Sequence, residues 1–150
     1  MPLTDAELQD RLNRRQSPSG AWLGLRVVAL SSAQGTVTIA CEARQEHCNA
    51  RGRVQGGILC AMMDEAVAMA ALVKSGKRIA VPTLELKTSF FEPALMGPLR
   101  IEAHVVRMGK RHAFTEANVY DSDNKLLARM SSTAMIRNMD EAPLLVDAQS

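Results

Sequence analysis

Apolar and polar residues alternate along several stretches of the chain, which is the pattern of β-strands with one buried face. Residues 36–43 show it most clearly, because Val37, Ile39 and Cys41 alternate with smaller or more polar residues. Similar patterns predict strands over residues 22–30, 36–43, 80–91, 99–107, 112–120 and 126–137. The connections between the last three are short enough for hairpins, so the C-terminal half is expected to form a meander of antiparallel strands.

A long apolar stretch over residues 56–73 interrupts the strand pattern. Its length and its content of Ala, Met and Leu favour a helix. Its only charged residues are Asp64 and Glu65, so we expect burial on most of its sides. Near the N-terminus, Thr4 followed by Glu7 fits a capping box and predicts a short helix over about residues 4–13. The segment Ser17-Pro18-Ser19-Gly20 is then expected to break the chain.

The order of elements is therefore a short helix, two strands, one long helix and four strands. This order predicts an α+β fold, in which a curved antiparallel sheet wraps around one long central helix. The chain of 150 residues has the length of one domain, so residues 1–150 are expected to form a single unit with a mobile tail over residues 138–150. One such sheet leaves apolar surface on the helix, which predicts a dimer.

Composition and charge argue against several classes of function. The chain is 47% hydrophobic and 23% charged, with a formal net charge of +2, which does not suit binding to nucleic acid. Three Phe, one Tyr and one Trp are too few for a base-stacking surface. The three cysteines lack CxxC spacing, so neither a disulfide framework nor a metal site is expected. The N-terminus lacks the apolar region of a secretory signal, and two central charges argue against a membrane span over residues 56–73, so we expect a cytoplasmic protein.

Small residues form a stripe along one face of the predicted central helix. Spacings of three and four place on that face Gly57, Ala61, Asp64, Ala68 and Ala71. Asp64 is the only functional group in this stripe, and a buried carboxylate has to be paired, hydrogen-bonded or kept neutral. Those conditions occur at working sites and in structural pairs, and the stripe leaves both interpretations open. Glu65, on the next stripe, is interpreted as structural, with a Lys or Arg of the sheet as its partner.

Gln55, Gly56 and Gly57 open the predicted central helix. The unpaired N–H groups at a helix start are donors suited to an anion or a developing oxyanion, although a tight turn into the helix also explains the glycines. Asp64 lies two turns along from Gly56, or about 12 Å by the helix rise. One helix therefore cannot hold a small reacting group between them. Antiparallel helices across a dimer interface would bring Gly56 of one chain near Asp64 of the other.

These residues carry a resemblance to a known family. The segment HCNARGRVQGGILCAMMDEAVAMA, which begins at His47, resembles the signature of hotdog-fold acyl-CoA thioesterases of the phenylacetate-degradation (PaaI) type. Those proteins carry an Asn, then a His-Gly-Gly at the helix start, then an Asp or Glu in the helix. The later segments TLELKTSFFEPALMGPL and VVRMGKRHAFTEANVYDSDNKLLA are similar to the same family, so the resemblance covers about residues 20–137. It implies a hotdog fold and hydrolysis of an acyl- or aryl-CoA thioester, in a homodimer or a homotetramer of two dimers with the active site between subunits.

The resemblance also implies roles for particular residues. Asp64 stands at the family's catalytic carboxylate, which is a base or a nucleophile, and Gly56 stands where a backbone N–H polarises the thioester carbonyl. Asn49 matches the loop Asn that positions the thioester or the water, and Thr83 falls where some relatives have a Ser or Thr that orients the water. Gln55 replaces the family's usual His, so it keeps an amide donor and acceptor but cannot change charge near neutral pH.

Basic side chains are expected to bind the phosphates of coenzyme A, and Gly57 is expected beside the substrate. Candidates lie around one predicted hairpin and after the long helix: Arg107, Lys110, Arg111 and His112, and Lys74, Lys77 and Arg78. Thioester hydrolysis needs only a base, a water and an oxyanion donor, so no metal or other cofactor is implied. His47 is interpreted as a solvated loop residue, and Cys48 and Cys60 as small core residues.

Two other functions remain open on the same fold. A non-catalytic protein that binds acyl-CoA or a small ligand would explain Gln55 in place of the His. A dehydratase or hydratase usually needs a His acting with the carboxylate, and the predicted helix has none. The sequence does not determine which apolar side chains line the acyl pocket, and leaves open Met62, Met63, Met69, Phe90 and Phe91.

Overall fold

A computed structural model describes residues 2–139 of the chain. The helices are α1 (Asp5–Arg14), α2 (Pro18–Trp22) and α3 (Gly56–Ser75), with a turn of 3-10 helix over Gln45–His47. The strands are β1 (Leu25–Ser31), β2 (Thr36–Ala43), β3 (Ile79–Ala80), β4 (Thr83–Phe90), β5 (Gly97–Met108), β6 (His112–Asp121), β7 (Leu126–Met135) and β8 (Arg137–Asn138).

Six strands form one antiparallel sheet in the order β1-β2-β5-β6-β7-β4, and β3 pairs with β8 in a separate ribbon. All six strands of the large sheet contact α3, so the sheet wraps around one helix. This arrangement is the expected hotdog fold, and it confirms the predicted architecture.

The core lies between α3 and the face of the sheet that turns toward it. Val37, Ile39 and Cys41 on β2 stand opposite Ala103, Ile101 and Leu99 on β5, and all six are buried. From α3 the core receives Leu59, Met62, Met63, Ala66, Val67, Ala70, Ala71 and Val73. One face of β2 packs toward α3, so every second side chain of the strand is buried. The alternation along the sequence therefore predicted the bounds of β2.

The central helix runs two residues further than predicted. It ends where Gly76 adopts a left-handed φ of 60°, which closes a helix and suits glycine. By length and hydropathy alone α3 would suffice to cross a membrane, since its best window has a mean hydropathy of 1.7. Half of that window is buried inside the fold, and core helices pass the same test.

The first helix begins at the predicted capping box. The Glu7 N–H donates to the Thr4 hydroxyl oxygen at 3.3 Å, and the Thr4 N–H donates to the Glu7 carboxylate at 2.8 Å. The Thr4 N–H and the Thr4 hydroxyl, which also donates to the Glu7 carboxylate at 2.8 Å, hold the pKa of Glu7 below its usual range. The helix occupies Asp5–Arg14, close to the predicted residues 4–13.

The predicted chain break at residues 17–20 is wrong. Pro18–Trp22 form the short helix α2, because Pro18 takes the first helical position and the Ser17 hydroxyl accepts from the Gly20 N–H at 2.9 Å. The strand predicted over residues 22–30 therefore begins only at Leu25.

The strand predicted over residues 80–91 is divided in two. Pro82 has no N–H to donate to a neighbouring strand, and it separates β3 from β4. β4 pairs with β7 at the edge of the sheet, so the predicted meander is wrong for this strand. Alternation determines which face of a strand is buried, but it leaves the neighbouring strand undetermined. Asn138, placed in the predicted tail, pairs with Ile79, and residues 140–150 of that tail lie outside the described residues.

Candidate active site

The start of α3 presents backbone N–H donors. Gln55 is the N-cap residue, and its side-chain Oε1 accepts from the Ile58 N–H at 3.0 Å. Gly56 and Gly57 follow, and their N–H groups have no hydrogen-bond partner within residues 2–139. Free N–H groups at the positive end of a 20-residue helix suit an oxygen that gains negative charge.

The loop before α3 is held by His47, which is fully buried. Its Nδ1 accepts from the Arg44 N–H at 3.0 Å, which leaves the proton on Nε2, 3.2 Å from the Trp22 carbonyl oxygen. The His47 carbonyl oxygen in turn accepts from the Gln55 N–H at 2.9 Å. The interpretation of His47 as a solvated loop residue is therefore wrong, because the imidazole joins α2 to the loop that carries the N-cap of α3.

Asn49 shapes the exposed part of this loop. Its side-chain Oδ1 accepts from the Arg51 N–H at 2.9 Å and from the Arg53 N–H at 3.2 Å. The flanking residues Cys48 and Val54 form an isolated antiparallel bridge. Asn49 thus lies at the first position of a tight loop, which the bridge between Cys48 and Val54 closes directly before Gln55.

The middle of α3 brings Asp64 and Thr83 together. Thr83 is the first residue of β4, and its hydroxyl donates to Asp64 Oδ1 at 2.8 Å. The other carboxylate oxygen, Oδ2, has no hydrogen-bond partner among residues 2–139. The side chain is partly buried, rather than fully buried as the stripe predicted. A carboxylate with one oxygen held by a hydroxyl and the other free is suited to accept a proton from a bound water.

The helix itself separates the two halves of the site. Gly56 and Asp64 are two turns apart on α3, or about 12 Å by the helix rise, so within one protomer they cannot act on the same carbonyl group. Beside them, β4 is an edge strand, and its Leu84 and Leu86 side chains are 53% and 39% exposed. This side of the protomer therefore carries uncovered apolar surface next to Asp64.

Glu65 has a structural role, as predicted, but with a different partner. Its Oε1 accepts from the Ser17 and Ser19 hydroxyls at 3.1 and 2.7 Å. The expected Lys or Arg partner from the sheet is wrong, because the donors to Glu65 are serine hydroxyls at the start of α2. The adjacent carboxylates of α3 thus have separate environments.

The basic candidates lie at the other end of the fold from Gly56. Arg107, Lys110 and Arg111 are exposed around the β5–β6 hairpin, and the Arg111 carbonyl oxygen accepts from the Ile136 N–H at 2.8 Å. Ile136 directly precedes β8, which pairs with β3 just after the end of α3. The hairpin therefore lies at the C-terminal end of α3, on the far side of Asp64 from Gly56.

The cysteines lie in apolar surroundings. Burial raises the pKa of the Cys41 thiol to about 11, and its Sγ donates to the Leu23 carbonyl oxygen at 3.1 Å. Cys48 and Cys60 are partly buried and pack against the core. In the part of the chain that the structure describes, no three His, Cys, Asp or Glu side chains are grouped to hold a metal ion.

Phe90 is a neighbour of the site that the sequence left unassigned. A Cβ placed on Gly56 would lie 3.3 Å from the Phe90 ring, so the ring is in contact with the start of α3. Met62 and Met63 are fully buried, whereas Phe90 and Phe91 are each 52% exposed. No pattern in the sequence links Phe90, at the end of an edge strand, to Gly56, because their contact depends on tertiary packing.

Known proteins are similar to this chain over most of its length. The model of the thioesterase superfamily matches residues 51–128. Human acyl-coenzyme A thioesterase 13 is 29% identical over 115 residues, which are 75% of this chain and 81% of the human protein. The phenylacetic acid degradation-related protein of Ralstonia eutropha JMP134 is 30% identical, with a TM-score of 0.75 over 85% of this chain and 98% of that one. The PaaI protein of E. coli shares the fold at 17% identity, with a TM-score of 0.78 over 89% and 94% of the two chains.

Proposed function

The chain belongs to the thioesterase superfamily, as a hotdog-fold thioester hydrolase of the PaaI type, and we propose that it hydrolyses an acyl- or aryl-CoA thioester to the free acid and CoA. The observation that carries this proposal is the Asp64 carboxylate, one oxygen of which accepts from the Thr83 hydroxyl. The helix that carries Asp64 also presents free N–H donors at Gly56 and Gly57. A base and an oxyanion donor are the two groups that this reaction requires.

In the proposed reaction Asp64 acts as the base for a water molecule. The Thr83 hydroxyl donates to Asp64 Oδ1, so its own oxygen is free to accept a hydrogen bond from the same water and orient it. The water oxygen forms a bond to the thioester carbon while its proton passes to Asp64. The carbonyl oxygen gains negative charge against the Gly56 N–H, the C–S bond breaks, and the proton passes to the departing thiolate. Direct attack of Asp64 on the carbonyl is the alternative route, and Thr83 has no comparable task in it.

We propose that the acting unit is a homodimer, or a dimer of such dimers, with antiparallel α3 helices. The separation of about 12 Å between Gly56 and Asp64 is then bridged, because Gly56 of one protomer lies near the partner's Asp64. The exposed Leu84 and Leu86 of the edge strand β4 supply apolar surface for such an interface. Sedimentation velocity tests the assembly, and a fully active monomer would contradict it.

The remaining site residues have proposed tasks in the same scheme. Gln55 caps α3 through Ile58 and takes no part in proton transfer, while Asn49 and Gly57 border the substrate at the helix start. Arg107, Lys110 and Arg111 would bind the phosphates of CoA, since their hairpin lies beyond the Asp64 end of the site. The scheme uses no metal and no further cofactor, and we expect it to operate in the cytoplasm.

Thiol release from a panel of short, medium and aromatic acyl-CoA esters tests the proposal. Asp64→Asn keeps the shape of the side chain and removes the base, so kcat/KM is expected to fall by roughly 10²- to 10⁴-fold. Glu65→Gln is the matched control on the same helix, since this neighbour binds only serine hydroxyls, and its activity is expected to stay near wild type.

Equal activity of wild type and Asp64→Asn would show that the carboxylate is structural and the mechanism is wrong. Binding of acyl-CoA without any turnover would favour a non-catalytic binding protein. A dehydrated or hydrated acyl chain without free thiol would point to lyase chemistry. Each outcome is distinguished by the products and by the thiol signal.

A further inference from the structure

An apolar cleft opens beside the start of α3. Its volume is about 330 Å³, and its lining includes Gly56, Leu59, Phe90, Phe91 and Glu92. The one ionisable side chain of this lining is Glu92, whose carboxylate pairs with the Lys125 ammonium at 3.3 Å. A cleft with apolar walls and a carboxylate at its rim does not suit the phosphates of CoA, whereas it suits an apolar acyl group.

The Phe90 ring borders this cleft and lies against Gly56, the first residue of α3. Phe90 lies opposite the buried Ala128 of β7, so its side chain points to the face of the sheet that carries α3. A Cβ on Gly56 would lie 3.3 Å from Cζ of the ring, which places Cζ within roughly 6 Å of the Gly56 nitrogen by standard backbone dimensions. The ring is half-exposed, so a bound molecule can contact it.

We propose that Phe90 is a specificity-determining residue, which makes the site favour acyl groups that are unbranched or planar at the carbon next to the carbonyl. This inference rests on the proposed function. A carbonyl oxygen bound at about 2.9 Å from the Gly56 nitrogen directs its acyl substituent past the Phe90 ring into the cleft. A hydrogen or a flat substituent passes the ring, while a methyl branch at that carbon occupies the space of the ring edge.

Two isomeric substrates isolate this effect, because butanoyl-CoA and 2-methylpropanoyl-CoA differ only in branching. The wild-type protein is expected to favour butanoyl-CoA in kcat/KM by about tenfold or more, the usual effect of one misplaced methyl group. Phe90→Ala is expected to lower that ratio to about threefold or less, by raising kcat/KM for the branched ester. Phe90→Leu, which keeps an apolar side chain, is expected to give an intermediate ratio.

Phe114→Ala is the matched control. Phe114 is 44% exposed on β6, outside the lining of the cleft, so this variant is expected to keep the wild-type ratio. An unchanged ratio in both Phe90 variants, with activity retained, would overturn the assignment of Phe90 and leave thioester hydrolysis standing. A wild-type protein without preference between the isomers would overturn it equally. If far-UV circular dichroism shows that the Phe90→Ala variant does not fold, the ratio measured for Phe90→Leu decides. If the wild-type protein hydrolyses neither ester and no other acyl-CoA, the proposed function itself is refuted.

Discussion

The side chain of Gln55 and a methyl group at Gly57 would compete for the same space. Substitutions at these two positions therefore test whether Gln55 caps the start of α3. A Cβ on Gly57 would lie 2.9 Å from Gln55 Oε1 and 3.6 Å from its Cδ. The same Oε1 accepts from the Ile58 N–H at 3.0 Å. Gly57→Ala is therefore expected to displace the cap, and the effect is expected to vanish once the Gln55 side chain has been removed.

The magnitude follows from two opposing terms. Replacing a helical glycine by alanine stabilises a protein by about 0.5–1 kcal/mol, and Gly57 is free to change because its φ is not left-handed. Loss of an N-cap hydrogen bond costs about 0.5–2 kcal/mol. Gly57→Ala alone should change the free energy of unfolding by less than about 1 kcal/mol, because the two terms oppose each other. Gln55→Ala alone should lower the free energy of unfolding by about 1 kcal/mol. In the Gln55→Ala background, Gly57→Ala should raise it by about 0.5–1 kcal/mol.

Urea unfolding of wild type, both single variants and the double variant, followed by circular dichroism, measures this cycle. The expected coupling energy is about 1 kcal/mol. Ala6→Gly on the exposed face of α1 is the control, and its effect should add to that of Gln55→Ala within about 0.5 kcal/mol. A coupling energy between Gln55 and Gly57 no larger than the control value would refute the cap and the crowding together.

Two further predictions concern buried side chains. The Ser132 hydroxyl is buried without a hydrogen-bond partner among residues 2–139, so Ser132→Ala should leave the free energy of unfolding unchanged or raise it by about 1 kcal/mol. A loss of more than about 1 kcal/mol in urea unfolding would show that the hydroxyl is bonded. Burial raises the pKa of the Cys41 thiol from 9.0 to about 11. The contribution of the protonated thiol to the free energy of unfolding is therefore fully present below pH 9.0 and is lost as the pH rises through about 11. Iodoacetamide at pH 8, with peptide mapping, should label the partly buried Cys48 and Cys60 before Cys41, and equal rates at all three would contradict the buried, protonated thiol.

The elements of this fold follow from local patterns, with two instructive errors. The alternation over residues 36–43 predicts β2 with the bounds that the structure has, because a strand with one buried face repeats every two residues. The helix over residues 56–73 is two residues too short. The errors at Pro18 and Pro82 arise because a proline starts a helix as readily as it breaks a strand. Local composition does not decide between these outcomes.

The candidate site divides in the same way. The distance between Gly56 and Asp64 follows from their spacing on one helix, and it already points to a second subunit. The hydrogen bond from Thr83 to Asp64, across 19 positions of the chain, depends on the placement of β4 over α3. The burial of His47 depends on α2, whose residues carry no local pattern that predicts a helix.

The sequence by itself therefore determined the nature of the elements, their buried faces, the family resemblance and the residues along α3, because each depends on neighbours within a few positions. The tertiary structure decided the order of strands in the sheet, the partners of Asp64 and Glu65, the burial of His47 and the contact of Phe90 with Gly56. These features join segments distant in sequence, and many strand orders bury the same apolar faces. Only the packing of the whole chain around α3 selects one of them.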